Sequence, residues 1–238
     1  MKDLNYVNKE GERLHVLHFP GHGLGNFMHI IDINKKRKFT ISPDISIIST
    51  MNRSCWDSSP IKSQCELNNI KIHNTALSEA EWNNTLKIDH ILRCLNQIST
   101  QYALLVDGRD VVITADLDDN FIKKFKGFNK LILYNGTPAA YPKVAIEPLE
   151  ELLLIRGKQK FLNAGVCFGE VEALKTFYTR CAEISATLPD NKSEQLIVRM
   201  ARQEMKELVA IDHVNELFRI CHPYDTVIKE ESDKIILI

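Results

Sequence analysis

Apolar residues in this chain form short runs separated by longer stretches in which they recur every three or four positions. Four runs have the length of strands, namely Ile45–Thr50, Tyr102–Val106, Leu131–Tyr134 and Phe161–Phe168. Near-continuous apolar runs are typical of strands buried on both faces. The spacing over Thr85–Ile98 instead predicts an amphipathic helix packed on a sheet. We therefore predict that the four strands are neighbours in one mixed, mainly parallel sheet with helices on both faces.

Weaker patterns predict the remaining elements. Helices are expected where polar cap residues precede helical spacing, and short strands where apolar residues cluster between turn residues. After Tyr134, the segment Asn135–Pro138 is expected to turn the chain. The alternation of strands and helices predicts an α/β fold with right-handed crossovers. The expected helices are 59–68, 118–125, 148–156, 171–185 and 190–204, and the expected short strands are 14–19, 70–73, 208–212, 217–221 and 234–238.

Composition narrows the class of protein. A chain of 238 residues with 44% hydrophobic and 26% charged residues is predicted to be one domain, 1–238, with 1–44 as a candidate N-terminal extension. The formal net charge of −1 argues against a nucleic-acid partner. No apolar run is long enough for a membrane span, and the polar N-terminus lacks the apolar core of a signal peptide. Six cysteines without a CxxC pair then indicate reduced thiols in a cytoplasmic protein.

The candidate chemistry follows the buried strand Tyr102–Val106. Asp107 and Asp110 place two carboxylates three residues apart at its carboxyl end, where they are costly to bury without a partner. Mn²⁺ or Mg²⁺ is the natural partner, because these hard cations take carboxylate oxygens and leave positions for phosphate. Gly108 allows the sharp turn that would point both acids at one site. The alternative is a plain turn in which Arg109 screens the acids, since Asp and Gly are ordinary turn residues.

Five motifs, spread in order over about Ile45–Phe218, carry a resemblance to a known family. The central one is Leu105–Val111 (LVDGRDV), and the others are Trp82 with Lys87, Phe161–Gly165 (FLNAG), Ser193–Leu196 (SEQL), and Ile211–His213 (IDH) with Phe218. In this order they resemble glycosyltransferases of the GT-A fold, which carry an Asp-x-x-Asp motif at a strand end. The resemblance is closest to the procollagen galactosyl/glucosyltransferase group, which includes the glycosyltransferase domain of the lysyl hydroxylases.

The resemblance implies a GT-A-like, Rossmann-type α/β fold and a metal-dependent enzyme. Such an enzyme would move a hexose from a UDP-sugar to a hydroxyl acceptor on a protein or glycan. By the same resemblance, Asp107 and Asp110 would hold Mn²⁺ (or Mg²⁺) and the nucleotide diphosphate. Asn163 and Glu194 would face the sugar as catalytic residues, and Gln195 would support binding of the UDP-sugar.

Further assignments complete the expected site. The family's third metal ligand belongs to a His-x-Asn-Gly segment that this sequence does not contain, so His222 is the nearest candidate. Thr50 is expected to line the base and ribose pocket with Trp82, because ligands of open α/β sheets lie beyond the carboxyl ends of strands. Lys87 would supply a second cation for the phosphates, although a lysine at a helix start is usually a surface residue. The loop around Tyr141 is a candidate lid.

Other interpretations of the same residues stay open. A non-catalytic nucleotide-sugar-binding or scaffold domain is the alternative function, and a nucleotidyltransferase is a third hypothesis. Glu194 could act only on the helix dipole. His213 is expected to make core hydrogen bonds rather than bind metal, and Asp212 to anchor the backbone by hydrogen bonds rather than act as a base. His15 and His18 show no metal-ligand spacing and are expected to fill surface or core positions.

Overall fold

A computed structural model describes residues 5–20, 25, 27–191, 193–222, 226, 228–230 and 234–237. Among these residues, no helix is long and apolar enough to cross a membrane. The helices are α1 (Met28–Asn34), α2 (Arg53–Trp56), α3 (Pro60–Leu67), α4 (Leu86–Leu95), α5 (Asp119–Lys126), α6 (Leu149–Leu154), α7 (Val171–Ala186) and α8 (Glu194–Glu204). The strands are β1 (Asn5–Val7), β2 (Val16–His18), β3 (Ile45–Ile48), β4 (Ile72–His73), β5 (Tyr102–Val106), β6 (Val111–Ile113), β7 (Ile132–Thr137), β8 (Phe161–Glu170), β9 (Val209–Asp212), β10 (Phe218–Ile220), β11 (Ile228–Glu230) and β12 (Lys234–Leu237).

Side-chain caps fix where several helices begin. Ser59, Asp118 and Ser193 each accept hydrogen bonds from backbone N–H groups of the following first turn, in α3, α5 and α8 respectively. These donors have no partner within the helix itself, so a polar cap stabilises the helix start. The Ser193 cap matters for the site, because it makes Glu194 the first residue of α8.

The six-stranded central sheet has the order β4-β3-β5-β8-β7-β9. β8 runs antiparallel to β5 and β7, whereas all other neighbours are parallel. The four strands predicted from apolar runs are therefore neighbours in one mixed, mainly parallel sheet, which confirms that prediction. The carboxyl ends of β3, β5, β7 and β9 lie at one edge, the edge where ligands of such sheets bind.

Helices cover both faces of the central sheet. On one face, the strands pack against α4, α7 and α8 in a continuous hydrophobic cluster. On the other face, the cluster includes residues of α3, α5 and a three-stranded sheet of order β10-β2-β6. The structure is thus of the α/β class, with a small second sheet packed beside the large one.

The small sheet brings a distant segment next to the Asp-x-x-Asp loop. β2 pairs parallel with β10 and antiparallel with β6. Because β6 begins directly after Asp110, this pairing sets His18 opposite Val111 at the end of the loop. A third sheet, of order β1-β12-β11, joins residues from near both ends of the sequence.

The prediction of a turn at residues 135–138 is wrong. Residues 135–137 continue β7 and stay paired with β8. The physical reason is a bulge in β8: Tyr134 pairs with Cys167, but the next residue, Asn135, pairs with Asn163. Residues inserted into one strand in this way bend it and re-aim its side chains without ending the ladder. The bulge lies at the sheet edge that carries the two acids.

Candidate functional site

The loop that carries the two acids is held by backbone hydrogen bonds from two sheets. The N–H of Asp107 donates to the carbonyl of Gly165 in β8 at 2.9 Å. The carbonyl of Asp110 accepts from the N–H of Phe19, directly after β2, at 2.8 Å. Both ends of the loop are therefore fixed before any ligand binds.

Close packing explains the glycine within the loop. A Cβ on Gly108 would lie 1.7 Å from Cε of Met51, so any side chain there would displace Met51. The φ of Gly108 is not positive, so the glycine leaves room for the end of the Met51 side chain rather than permitting a left-handed turn. The Ser59 hydroxyl donates to the Gly108 carbonyl at 2.6 Å and holds the tip of the loop on α3.

His18 completes a group of three ligand-type side chains with the two acids. Its ring is 2% exposed, and Nε2 lies 3.6 Å from Oδ1 of Asp110 and 3.9 Å from Oδ2 of Asp107. One ligand atom from each residue lies within 4.8 Å of the others. Gly165 makes room for the ring, because a Cβ there would lie 2.2 Å from Cε1 of His18. His18 is therefore a buried residue, as expected, but it also lies beside the two acids.

This group fits a single divalent cation. Neither ring nitrogen of His18 has a hydrogen-bond partner among the described residues, although buried polar groups normally have one. The separations of 3.6 and 3.9 Å are too long for hydrogen bonds. They suit ligands of a shared ion, because bonds of about 2.1 Å place two octahedral ligands roughly 3.0–4.2 Å apart. An imidazole beside two carboxylates favours a transition metal over Mg²⁺.

A lysine and a buried glutamate adjoin the acids. Lys87 of α4 contacts Oδ1 of Asp107, and its Nζ lies 3.1 Å from Oε2 of Glu194. Burial raises the pKa of Glu194 to about 7, and Asp107 adds to this increase while Lys87 opposes it. Burial acts to lower the pKa of Lys87, but the carboxylates of Asp107 and Glu194 outweigh it and raise that pKa. Lys87 is therefore a paired, largely buried cation rather than a surface residue.

The amides of Asn163 and Gln195 hold the bulge of β8. Oδ1 of Asn163 accepts from the N–H of Gly165 at 2.9 Å. Oε1 of Gln195 accepts from the N–H of Ala164 at 2.7 Å, and its Nε2 donates to the carbonyl of Leu162. The two side chains thus replace ladder hydrogen bonds that the bulge leaves unmade. The contacts with sugar or nucleotide that the resemblance implied for them stay predictions.

A cavity of about 190 Å³ lies beside the acids. Thr50, Trp82 and Lys87 line it together with Asp107 and Asp110, so the structure brings together five of the six residues expected to bind the nucleotide, and Gln195 is not among the lining residues. Small-molecule sites typically measure roughly 300–1,000 Å³. The cavity therefore has the size of part of a nucleotide-sugar, and the remainder would extend beyond it.

Trp82, which lines the cavity, is supported by a hydrogen-bonded histidine. The ring of Trp82 stacks on His90 with the centroids 6.3 Å apart. Nε2 of His90 lies 3.1 Å from Oε1 of Glu79, and Nδ1 lies 3.0 Å from Oγ1 of Thr75. Because both ring nitrogens are engaged, the orientation of His90 is fixed, and His90 in turn supports Trp82.

His222 does not join the group formed by the two acids. Its Nε2 lies 3.5 Å from Oγ1 of Thr137, and the three described residues that meet at one point are His18, Asp107 and Asp110. The position expected for His222 beside the acids is therefore taken by His18. The cause is the pairing of β2 with β6, which no local pattern in the sequence indicates.

The other two residues weighed as ligands or bases are hydrogen-bonded to backbone. The carboxylate of Asp212 accepts from the N–H groups of residues 216, 217 and 218 at 2.8–3.0 Å, which confirms it as an anchor. Nδ1 of His213 lies 2.5 Å from the carbonyl oxygen of Gln159, the core-type hydrogen bond that was expected.

The loop between β7 and α6, the candidate lid, is held along its middle and second half by a fully buried arginine. Arg199 of α8 makes a bidentate ion pair with Glu147 at 2.6 and 2.8 Å. It also donates to the carbonyls of Pro142 and Val144, each at 2.8 Å. Tyr141 is 71% exposed. Its carbonyl also accepts from Arg199, at 3.4 Å, so closure over the site would break these backbone hydrogen bonds or move only the exposed Tyr141 side chain.

A larger open cleft of about 590 Å³ is lined by residues of α7 and of the end of α8. Its charged groups are already paired, because Arg180 contacts Glu183 and Glu204 at 2.7 and 2.6 Å and Lys175 contacts Glu172 at 2.7 Å. Exposed pairs of this kind are ordinary surface features. The smaller cavity beside the acids is therefore the better candidate site.

No known protein-family model matches the chain, and no curated protein is significantly similar to it in sequence. The function must therefore be inferred from the geometry of the site together with the motif resemblance.

Proposed function

We propose that the protein is a metal-dependent glycosyltransferase that moves a hexose from a UDP-sugar to a hydroxyl acceptor. The observation that carries this proposal is the convergence of His18, Asp107 and Asp110 beside a cavity that Lys87 and Trp82 also line. The mixed sheet, with both acids beyond the carboxyl end of a central strand, is compatible with the GT-A-like fold that the motifs imply.

Each charged residue has a role that follows from its position. A divalent cation held by His18 and the two acids would neutralise the leaving diphosphate, on which negative charge develops in the transition state. Lys87 is a second fixed cation at the same cavity. Glu194, whose pKa burial raises to about 7, can hold or release a proton near neutral pH. This property suits a residue that orients or deprotonates a hydroxyl acceptor.

The nucleoside is proposed to lie against Trp82 and Thr50. Trp82 offers an aromatic face backed by His90, and Thr50 offers a hydroxyl two residues after β3. The hexose would then extend towards Glu194. The loop that carries Tyr141 leaves the same edge of the sheet, and its closure would limit hydrolysis of the donor by water.

Nucleotide-sugar binding without turnover is the second candidate function. One observation favours it: the amides of Asn163 and Gln195, expected at the sugar, hydrogen-bond to the backbone of β8. In that case UDP would bind with a metal ion, but no sugar would be transferred.

Two measurements separate these functions. Isothermal titration calorimetry of UDP with and without Mn²⁺ tests binding, and a screen of UDP-sugars for Mn²⁺-stimulated UDP release tests turnover. Metal-dependent binding with release supports the transferase, and binding without release supports the binding domain. UDP binding that does not depend on Mn²⁺, or the absence of UDP binding, contradicts both candidate functions.

A thiol in the cavity gives an independent probe. Five of the six cysteines are buried, whereas Cys55 is partly exposed and lines the cavity. UDP with Mn²⁺ should therefore slow alkylation of Cys55 by iodoacetamide, as followed by peptide mass spectrometry, and Cys55→Ser should abolish the labelling. An unchanged rate would show that UDP does not enter this cavity.

A further inference from the structure

The two oxygens of Asp107 face two different cation positions. Oδ1 contacts the ammonium group of Lys87, and Oδ2 lies 3.9 Å from Nε2 of His18. His18 is in turn 3.6 Å from Asp110. One carboxylate therefore lies between a cation that belongs to the protein and the point at which a metal ion would bind.

Lys87 is a fixed charge at this position. Its ammonium group lies between Asp107 and Glu194, and its side chain is only 14% exposed. Its departure would leave the buried Glu194 without a counter-charge, which is strongly unfavourable. Arg109, the other cation that lines the cavity, is exposed, so solvent and salt screen its charge.

We propose that Lys87 is a resident counter-cation that opposes binding of a free divalent cation and makes the site selective for a metal ion accompanied by an anion. Lys87 already neutralises part of the charge of Asp107, so a metal ion gains less from that carboxylate. The two positive charges also repel each other across it. An anion that contacts both cations cancels this repulsion, so metal and anion bind cooperatively.

Opposition to the free metal follows from the contacts of Asp107 alone. Cooperativity with the anion rests on the proposed function, with the diphosphate of the UDP-sugar as the anion. The experiment therefore measures Mn²⁺ alone first, and Mn²⁺ with UDP second.

The test is isothermal titration calorimetry of Mn²⁺ into the full chain and into Lys87→Met. Without nucleotide, Lys87→Met should bind Mn²⁺ about tenfold more tightly than the parent protein, within the usual range of coupling between sites. The factor by which saturating UDP strengthens Mn²⁺ binding should fall by a similar amount. Equal or weaker Mn²⁺ binding by Lys87→Met would overturn the proposal.

Matched variants separate this effect from misfolding and from net charge. Lys87→Arg keeps the cation and should therefore lack the tightening of Mn²⁺ binding expected for Lys87→Met. Lys87→Met combined with Glu194→Gln leaves no unpaired glutamate, and it should still bind Mn²⁺ about tenfold more tightly than Glu194→Gln alone. Lys175→Met removes an equal charge from an exposed pair with Glu172 and should change nothing. If the Mn²⁺ affinity of Lys175→Met increased by the same factor, the effect would come from net charge alone, and the proposed role of Lys87 would be refuted.

The outcomes also separate this inference from the proposed function. If UDP does not bind with Mn²⁺ to the parent protein, the glycosyltransferase proposal and the cooperativity both fail. The Mn²⁺ affinities of Lys87→Met and the parent protein, measured without UDP, would still show whether Lys87 opposes metal binding. If UDP binds but Lys87→Met does not tighten Mn²⁺, the proposed function stands and the counter-cation role fails.

Discussion

Two aspartate sites at the same edge of the central sheet have different kinds of partners for their carboxylates. Asp212 ends β9, and its carboxylate accepts from three backbone N–H groups at 2.8–3.0 Å. Asp107 and Asp110 follow β5 and face the side chains of Lys87 and His18. Backbone N–H donors are fixed by the fold. A carboxylate whose partner is a lysine or an imidazole can still contact a ligand. The same local pattern, an apolar run followed by Asp, thus gives an anchor in one strand and a candidate ligand site in another.

Two histidines near β2 repeat this contrast. Nδ1 of His15 donates to the carbonyl of Asp116 at 2.7 Å, and its ring packs on Phe121 with the centroids 5.1 Å apart. Burial lowers the pKa of His15 to about 4. Burial also acts to lower the pKa of His18, but the two acids outweigh it and raise that pKa. Both rings are buried, so the role of each histidine depends on its partners rather than on its burial.

Asp212→Ala is the change with the largest expected effect. The acceptor of three N–H groups disappears, and two of these groups belong to the buried residues Leu217 and Phe218. Because an unmet buried donor costs roughly 1–3 kcal/mol, the free energy of unfolding should fall by about 4 kcal/mol. Urea denaturation at pH 8 measures this, since burial raises the pKa of Asp212 to about 6 and the carboxylate is ionised at pH 8.

Asp212→Asn is the matched control for this change. It keeps one acceptor oxygen and should recover part of the lost stability, and Mn²⁺ affinity should not change in either variant. If Asp212→Ala were as stable as the parent protein, the backbone donors would have other partners and Asp212 would not be an anchor.

Acidification should destabilise the protein through His15. Its pKa of about 4 in the folded state lies below the ordinary value of 6.5, so the unfolded chain takes up the proton first. The stabilisation is therefore complete above pH 6.5 and is lost as the pH falls towards 4, by about 3 kcal/mol in total. Urea denaturation at pH 7 and pH 4, with EDTA present, measures the loss.

Glutamine can donate the same hydrogen bond without titrating, so His15→Gln should lose about 3 kcal/mol less stability over this range. Equal losses in the two proteins would mean that His15 is not the group that titrates.

Local sequence order was sufficient to predict part of the site. The apolar run before Asp107 predicted a buried strand, and the spacing to Asp110 predicted acids at its carboxyl end. Helical spacing placed Lys87 at the start of α4, and the end of the first strand placed Thr50 near the acids. All of these follow from residues close together in the chain and from the general geometry of parallel sheets.

The remaining features depend on strand register, which a single sequence does not reveal. His18 reaches the acids only because β2 pairs with β6, far along the chain. Asn163 and Gln195 satisfy the backbone of a bulge, and that need is apparent only once β7 and β8 are aligned. The same bulge continues β7 through Asn135 and Gly136, a pair that otherwise favours a turn.

Gly165→Ala tests the ligand side of the comparison by crowding. The added Cβ would lie 2.2 Å from Cε1 of His18, so the imidazole must shift from its position beside the acids. Overpacking of this kind costs about 2 kcal/mol of stability. The displaced imidazole should also weaken Mn²⁺ binding by about tenfold, the loss of one ligand contact. Gly127→Ala, whose Cβ would lie 3.0 Å from the carbonyl of Lys124, serves as the control and should keep the affinity for Mn²⁺. Unchanged Mn²⁺ binding in Gly165→Ala would exclude His18 as a ligand.

Asp110→Asn should have the smallest effect on stability and still be decisive for function. The amide keeps the shape of the side chain and removes one of two neighbouring negative charges, so the free energy of unfolding should change by less than about 1 kcal/mol. Loss of a metal ligand should weaken Mn²⁺-dependent UDP binding at least about tenfold, or roughly 1.4 kcal/mol.

Asp57→Asn removes an equal charge from the surface, 3.9 Å from Lys62, and should leave binding unchanged. The paired measurements are urea denaturation and calorimetry. If Asp110→Asn binds UDP and Mn²⁺ as tightly as the parent protein, the two acids form a plain turn, their difference from Asp212 has no functional meaning, and the glycosyltransferase proposal loses its main support.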